Sequence, residues 1–349
     1  MKILYVYRTA RKEIFTNAKK HLEPDHLLYG ANHLQKLGFQ IEFSDIAYSP
    51  VNLLHLFLLP LERVLIKITS IGFKLDQAIL LLPKALSADL VIATTDSAGL
   101  PLLLMKKLGI LKTPLIYIST GLVNELQIRR KNLVFKIYQS ILKVPELIVC
   151  HSEIEKRLLQ KLVPEVENRV NFIPFGVDTD YFKCPKKTNQ FILSVGRDRS
   201  RDYKFLAKVA EKMSDHKFVV VTSKSNILGI VFPKNVQLYF DLPYKEVKKF
   251  YFQSKVVFLP LKELQRASGQ ISFLEALASN NKVVISKVTG ILDYKSAFYD
   301  NVYLFDPGDL EGAIRILRKS IRAKTTPFKM NEFTSKNYAN NLGKLIKSL

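Results

Sequence analysis

Phe191-Ile-Leu-Ser-Val-Gly-Arg-Asp-Arg-Ser-Arg-Asp-Tyr-Lys-Phe-Leu206 joins an apolar run, a glycine, an arginine-rich loop and the start of an amphipathic helix. Residues 191–195 are apolar strand formers and read as a buried strand. Gly196 lets the backbone turn tightly behind it. From about Asp202 onward, Phe205, Leu206, Val209, Ala210 and Met213 share one helical face. The same order recurs in both directions along the chain. Strands are expected at 217–222, 236–239, 256–259, 282–285 and 301–305, with a helix over 271–279. Earlier strands are expected at 2–7, 40–43, 89–93, 114–119, 146–150 and 170–173, with helical spacing over 27–37 and 153–162. Such alternation specifies α/β architecture, in which a parallel sheet is covered on both faces. A break at 174–190 divides the pattern into two α/β halves, and 332–349 reads as a basic terminal helix. Two doubly wound halves place their ligand crevices at the C-terminal ends of their strands, so a cleft between them is where chemistry is expected.

Composition narrows the function. The 349 residues carry 53 Lys+Arg against 31 Asp+Glu, a net charge of +22, with 48% hydrophobic and 24% charged residues. Those fractions belong to an ordinary globular protein and argue against disorder or coiled coil. Cys150 and Cys184 are too few for a disulfide framework, and the N-terminus does not resemble a signal peptide, so a cytoplasmic location is expected. The longest apolar run, 52–61, is broken by Pro60 and is short of the roughly 20 residues of a membrane span. The charge leaves three partners open: nucleic acid, an anionic membrane surface or an acidic small substrate.

Two segments carry candidate chemistry. Gly196 with Arg197, Arg199 and Arg201, between a strand end and a helix start, can clamp a pyrophosphate through charge-assisted bonds; a solvated basic loop is the alternative. Ser268-Gly269-Gln270-Ile271, at the start of the next helix, offers free backbone N–H groups for a second anionic contact. Glu275 on that helix lies among Phe273, Leu274 and Leu277, and when buried needs a polar partner. Ribose hydroxyls would serve, and so would an internal Arg or Lys.

The second half resembles the retaining nucleotide-sugar glycosyltransferases of family 4, which have the GT-B fold. The matching pieces occur in order: Phe172-Ile-Pro-Phe-Gly-Val-Asp178, Ser194-Val-Gly-Arg197, Asn235-Val-Gln-Leu238, Phe258-Leu-Pro260, Phe273-Leu-Glu-Ala-Leu-Ala278, Lys282-Val-Val284 and Phe305-Asp-Pro-Gly-Asp309. The resemblance implies two Rossmann-like domains facing across a cleft: 1–174 for the acceptor and 175–331 for the nucleotide sugar. Helix 332–349 would return to the body. Arg197 and Arg201 would be catalytic, holding the donor diphosphate. Glu275 would hold the ribose, with Gly196, Ser268, Gly269, Gln270 and Ile271 lining the nucleotide-sugar site. The first glutamate of the family motif falls on Ala267, where Ser268, Gln270 or Glu263 would have to substitute. In the first half, Arg8-Thr-Ala-Arg11 and Ile118-Ser-Thr-Gly-Leu122 stand where many relatives have a Gly-Gly loop and a histidine. Arg8 and Thr120 are therefore the candidates on that side. The resemblance implies neither metal nor cofactor, with the nucleotide sugar as co-substrate and a lipid-linked or glycan acceptor.

The remaining charge concentrates in the first half. Arg129, Arg130, Lys131, Lys136 and Lys143 occupy 126–144 without an acid, and on a helix Arg129, Lys136 and Lys143 lie opposite Val134, Ile137, Tyr138 and Ile141. Together with the leucine-rich stretch 51–86 they fit an anionic membrane surface; an inward-packed apolar stripe with solvated bases is the alternative. Nucleic acid is disfavoured because no zinc spacing, RNA-binding aromatic motif or helix-turn-helix accompanies the bases. A non-catalytic sugar-nucleotide-binding relative is the other reading, motivated by Ala267.

Overall fold

The structure is a computed structural model that describes residues 1–45, 53–128, 133–183, 188–326 and 330–349. One sheet contains β1 (Lys2–Val6), β2 (Gln40–Phe43), β3 (Leu90–Ala93), β4 (Leu115–Ile118), β5 (Leu147–Cys150) and β6 (Val170–Phe172), in the spatial order β2-β1-β3-β4-β5-β6. The other contains β7 (Phe191–Val195), β8 (Phe218–Thr222), β9 (Val236–Phe240), β10 (Ser254–Leu259), β11 (Val283–Ser286) and β12 (Val302–Phe305), in the order β12-β11-β10-β7-β8-β9. Every pairing is parallel. Between the strands of the first sheet lie α1 (Lys12–Lys19), α2 (Ala31–Lys36), α3 (Leu53–Thr69), α4 (Leu75–Leu86), α5 (Asp96–Lys107), α6 (Leu122–Ile128), α7 (Leu133–Ile141) and α8 (Glu153–Leu162). The rest are α9 (Thr179–Phe182), α10 (Tyr203–Lys212), α11 (Tyr244–Gln253), α12 (Gln270–Ala278), α13 (Thr289–Leu292), α14 (Leu310–Arg322) and α15 (Ser335–Lys347).

The chain forms two compact units. One comprises Met1–Asn17, Leu27–Pro174 and Tyr338–Leu349; the other comprises Ala18–His26 and Phe175–Asn337. The short segment Ala18–His26 therefore belongs with residues more than a hundred positions away, and most of α15 belongs with the N-terminal sheet.

In the second unit β7 and β8 are buried along their whole length. That is why their sequences are continuous apolar runs rather than alternating ones. Phe205 of α10 stacks on Phe305 of β12, centroids 5.8 Å apart, in the core below the sheet. Asn235 closes this layer, its Nδ2 donating to the carbonyls of Ala210, Met213 and His216 at the end of α10. The chain leaves β7 in one direction across the sheet and β10 in the other. The loops after these two strands thus meet at the topological switch point, where an open α/β sheet receives its ligand.

The first unit corrects the expected helix over 126–144. α6 ends at Ile128 and α7 runs only from Leu133 to Ile141, so Lys143 lies beyond the helix. Arg129, Arg130 and Lys131 lie outside the described residues. The buried face of α7 is Phe135, Tyr138 and Ile141, while Ile137 is exposed. The helix is rotated relative to the expected stripe because Phe135 packs edge-on against Tyr138, which stacks on Phe73. Lys136 is exposed, and Lys143 is paired with Glu165.

His151, just after β5, is buried, and its Nδ1–H donates to the carbonyl of Ile173 at 3.0 Å. Burial disfavours the imidazolium and pushes the pKa from 6.5 down to about 4, against a smaller opposing effect of the Ile173 bond. The unfolded histidine takes up a proton near pH 6.5 and the folded one does not. Stability is therefore untouched above that pH and is lost as pH falls from 6.5 to 4, by about 3 kcal/mol at the limit. Urea unfolding at pH 7 and pH 4.5 should show this loss in the wild type and a smaller one in His151→Gln; equal losses would refute the assignment.

Candidate functional site

The switch-point loops of the second unit are tied together by main-chain bonds: Asp202 N–H to Pro260 carbonyl at 2.9 Å and Lys262 N–H to Ser200 carbonyl at 2.8 Å. Against this frame the three arginines of the loop separate. Arg199 is exposed. Arg197 is turned outward, with Nη2 donating to the Leu242 carbonyl at 3.1 Å and Nε 3.5 Å from Asp241. Arg201 alone goes inward and is 5% exposed.

The Arg201 guanidinium donates from Nη2 to Ser272 Oγ at 2.8 Å, in the first turn of α12. Its Nε and Nη1 are buried and meet no acceptor among the described residues. Two glycines make the space for it. A Cβ on Gly196 would fall 2.0 Å from Arg201 Nε, and one on Gly269 would fall 2.9 Å from Nη1. Their φ angles of +152° and +82° are ones that other residues seldom adopt. The Gly196 carbonyl is held by Tyr203 Oη at 2.6 Å and Thr222 Oγ1 at 2.8 Å. Gly269 is the N-cap of α12 and no side chain caps that end. A buried cation therefore sits beside an uncapped helix N-terminus, whose first N–H groups have no intrahelical acceptor. Both favour an anion.

Around this cradle lies a network that counting arginines does not reveal. Asp198 Oδ2 accepts from Arg266 at 2.8 Å, and its Oδ1 accepts from the Ser200 N–H at 2.8 Å and Ser268 Oγ at 3.2 Å. Ser200 and Ser268 also bond to one another through their hydroxyls. Burial alone would raise the Asp198 pKa, but Arg266 and Ser200 hold the carboxyl well below the usual range. Ser268 is thus committed within the protein. Glu263 accepts from the Thr289 N–H. Of the possible substitutes for the missing glutamate, Gln270 is half-buried at the start of α12, followed by half-buried Ile271. Ala267 is pressed against α13, where a Cβ on Gly290 would come within 3.1 Å of its Cα.

Glu275 is buried one turn further along α12. Its Oε2 accepts from Tyr251 Oη at 2.9 Å, and its Oε1 lies 3.2 Å from His26 Nε2 without the alignment of a hydrogen bond. His26, from the segment Ala18–His26, was not legible as a site residue, since nothing local to it marks its neighbour 249 positions away in sequence. In the first unit Arg8 is exposed. Thr120 donates to Asp96 Oδ2 at 3.1 Å, and Asp96 also accepts from Tyr117 Oη and the N–H groups of Thr120 and Leu122. Asp96 is the joint between the β3 and β4 loops.

No protein-family model and no curated protein sequence matches the chain. Solved structures match along its whole length. Anabaena HepE in complex with UDP-glucose gives a TM-score of 0.70 at 13% identity, covering 100% of both chains. Sucrose-phosphate synthase from Thermosynechococcus elongatus gives 0.67 at 12% identity, covering 100% of this chain and 99% of that one. The lipopolysaccharide outer core galactosyltransferase WaaB, in its apo form, gives 0.57 at 12%, again over 100% and 99%. Likeness at such identities is one of fold: two Rossmann-like domains, each a six-stranded parallel sheet with flanking helices, as in GT-B proteins.

Gly196→Ala should destabilise the protein by roughly 1–3 kcal/mol, because the Cβ meets both an unfavourable φ and the Arg201 side chain. Urea unfolding measures it. Unchanged stability would mean that Arg201 leaves its cradle freely.

Proposed function

We propose that the protein is a glycosyltransferase that moves a sugar, with retention, from a nucleotide-diphosphate sugar. The acceptor would be a lipid-linked sugar, glycolipid or polysaccharide at the cytoplasmic face of the membrane. The observation that carries this is the Arg201 guanidinium, buried between Gly196 and Gly269 with Nε and Nη1 unbonded. An unpaired buried cation is costly. A site that keeps one, next to a free helix N-terminus, is built for an anion such as a diphosphate. Glu275 Oε1 supplies an acceptor on the same helix for ribose hydroxyls, with Tyr251 steadying Oε2. Among the fold neighbours, HepE is crystallised with UDP-glucose and WaaB is named for transfer to lipopolysaccharide. Both suit the reading.

In this mechanism the bond between the sugar C1 and the phosphate oxygen breaks as C1 bonds to the acceptor oxygen on the same face. The acceptor proton passes to an oxygen of the leaving phosphate. Negative charge grows on the diphosphate as that bond breaks, and Arg201 and the α12 N–H groups stabilise it where it develops. Arg197, now resting on the 241–242 loop, is the exposed arm that adds a second fork. With these cations in place the leaving group needs no metal.

Ala267 favours one other reading, a relative that binds sugar nucleotides without turning them over. A panel of nucleotide sugars tests both by thermal shift and by product release. At least one donor should raise the melting temperature, since ligand at a hundred times Kd adds about 2.7 kcal/mol. Arg201→Met should abolish that shift while leaving the unliganded protein as stable as wild type or more so, because it removes an unpaired buried charge. Arg197→Ala should lower turnover by orders of magnitude with the fold intact. A shift without turnover in the wild type would favour the non-catalytic reading, and donor binding by Arg201→Met equal to wild type would overturn the site.

A further inference from the structure

α3 turns an apolar face to solvent. Of its residues only Glu62 and Thr69 are buried. Its inner side combines polar pairs, Glu62 with Lys74 at 2.8 Å and His55 Nδ1 with Asp76 at 2.8 Å, with half-buried Leu58 and Leu65, the latter packed on the unit's core. Thr69 donates to the Leu65 carbonyl at 2.7 Å. The outer side is apolar. Leu53 is 78% exposed, Phe57 81% and Val64 54%, and with Leu61 they recur at helical spacing along one solvent-facing stripe. Arg63 and Lys67 are exposed beside its C-terminal end, and the one acid of the helix is the buried Glu62. An amphipathic helix on a soluble domain turns its apolar face inward. Here a second apolar face is turned outward.

We propose that α3 docks in the plane of an anionic lipid bilayer, with Phe57, Leu53, Leu61 and Val64 among the acyl chains and Arg63 and Lys67 on the headgroup phosphates. The stripe is a convex ridge on one helix, which suits a fluid surface. A second copy of the chain seated on it would bring the two cations toward their own like charges, whereas anionic headgroups match them. Among the described residues no helix is long and apolar enough to cross a membrane, so the helix lies on the surface rather than through it. This deepens the membrane-acceptor reading but rests on α3 alone, and its test uses no sugar donor.

The full chain is co-sedimented with vesicles of phosphatidylcholine alone and of phosphatidylcholine mixed with phosphatidylglycerol. Binding to the mixed vesicles is expected, weakened by salt. The double variant Arg63→Gln, Lys67→Gln should lose roughly fivefold in binding per charge removed. Phe57→Gln with Leu61→Gln should lose at least tenfold on the mixed vesicles while thermal unfolding stays at or above the wild-type midpoint, because both side chains are exposed in the folded state. Nucleotide-sugar protection measured on the same variants should match wild type, so the membrane and donor readings fail separately. Wild-type binding no stronger to mixed than to neutral vesicles would overturn the proposal. So would Phe57→Gln, Leu61→Gln binding as wild type does, or a lipid-free dimer that this variant disperses, which would assign the stripe to a second copy.

Discussion

The second unit's candidate site is organised around one buried guanidinium. Arg201 reaches inward only because Gly196 and Gly269 lack side chains where its Nε and Nη1 lie. With Ser272 as its one acceptor among the described residues, the cation is left short of partners in a place water does not reach. Such a charge persists only if the surroundings over-determine it. Here the Asp198–Arg266 pair, the bonded Ser200 and Ser268 hydroxyls, and the Tyr203 and Thr222 bonds to Gly196 hold both loops independently of Arg201. The cradle is therefore preorganised: an anion of the kind proposed would meet donors already in place.

The strands were legible because a sheet buried on both faces demands uninterrupted apolar runs, and these stood out from the polar loops around them. The order of the strands was not written in any one of them. It follows from crossovers on both sides of β7, and it is this order that makes the loops after β7 and β10 neighbours. Several residues of the family-like motifs proved to be joints. Asn235 closes α10, Asp178 caps α9, and Asp309 caps α14.

The site was legible in type and less so in role. Arg197, Arg199 and Arg201 are chemically alike in the sequence, and only the path of the loop decides that one is buried and two are exposed. Asp198 lies between two of them, yet its partner Arg266 is 68 positions away, beyond any local pattern. Likewise the carboxylate of Glu275 needed a polar neighbour, and sequence reasoning looked for a ribose, an arginine or a lysine. Tyr251 and His26 stand beside it, brought by α11 and by the segment Ala18–His26, and neither donates a hydrogen bond to Oε1.

Helices α3, with Arg63 and Lys67, and α7, with Lys136, both set bases among apolar residues, and composition cannot separate them. Packing can. α7 buries Phe135, Tyr138 and Ile141 in its unit's core, so its Lys136 is left on the solvated side. α3 is fastened by the Glu62–Lys74 ion pair, the His55–Asp76 contact and half-buried Leu65, while its outward stripe is exposed whether the chain is folded or not. That stripe consequently costs little in folding stability, but it is a liability for solubility. A net charge of +22 counters the liability by keeping molecules apart. If α3 docks on a bilayer as proposed, the same charge would draw the chain to a surface that covers the stripe, so repulsion between copies and attraction to anionic lipid would act together.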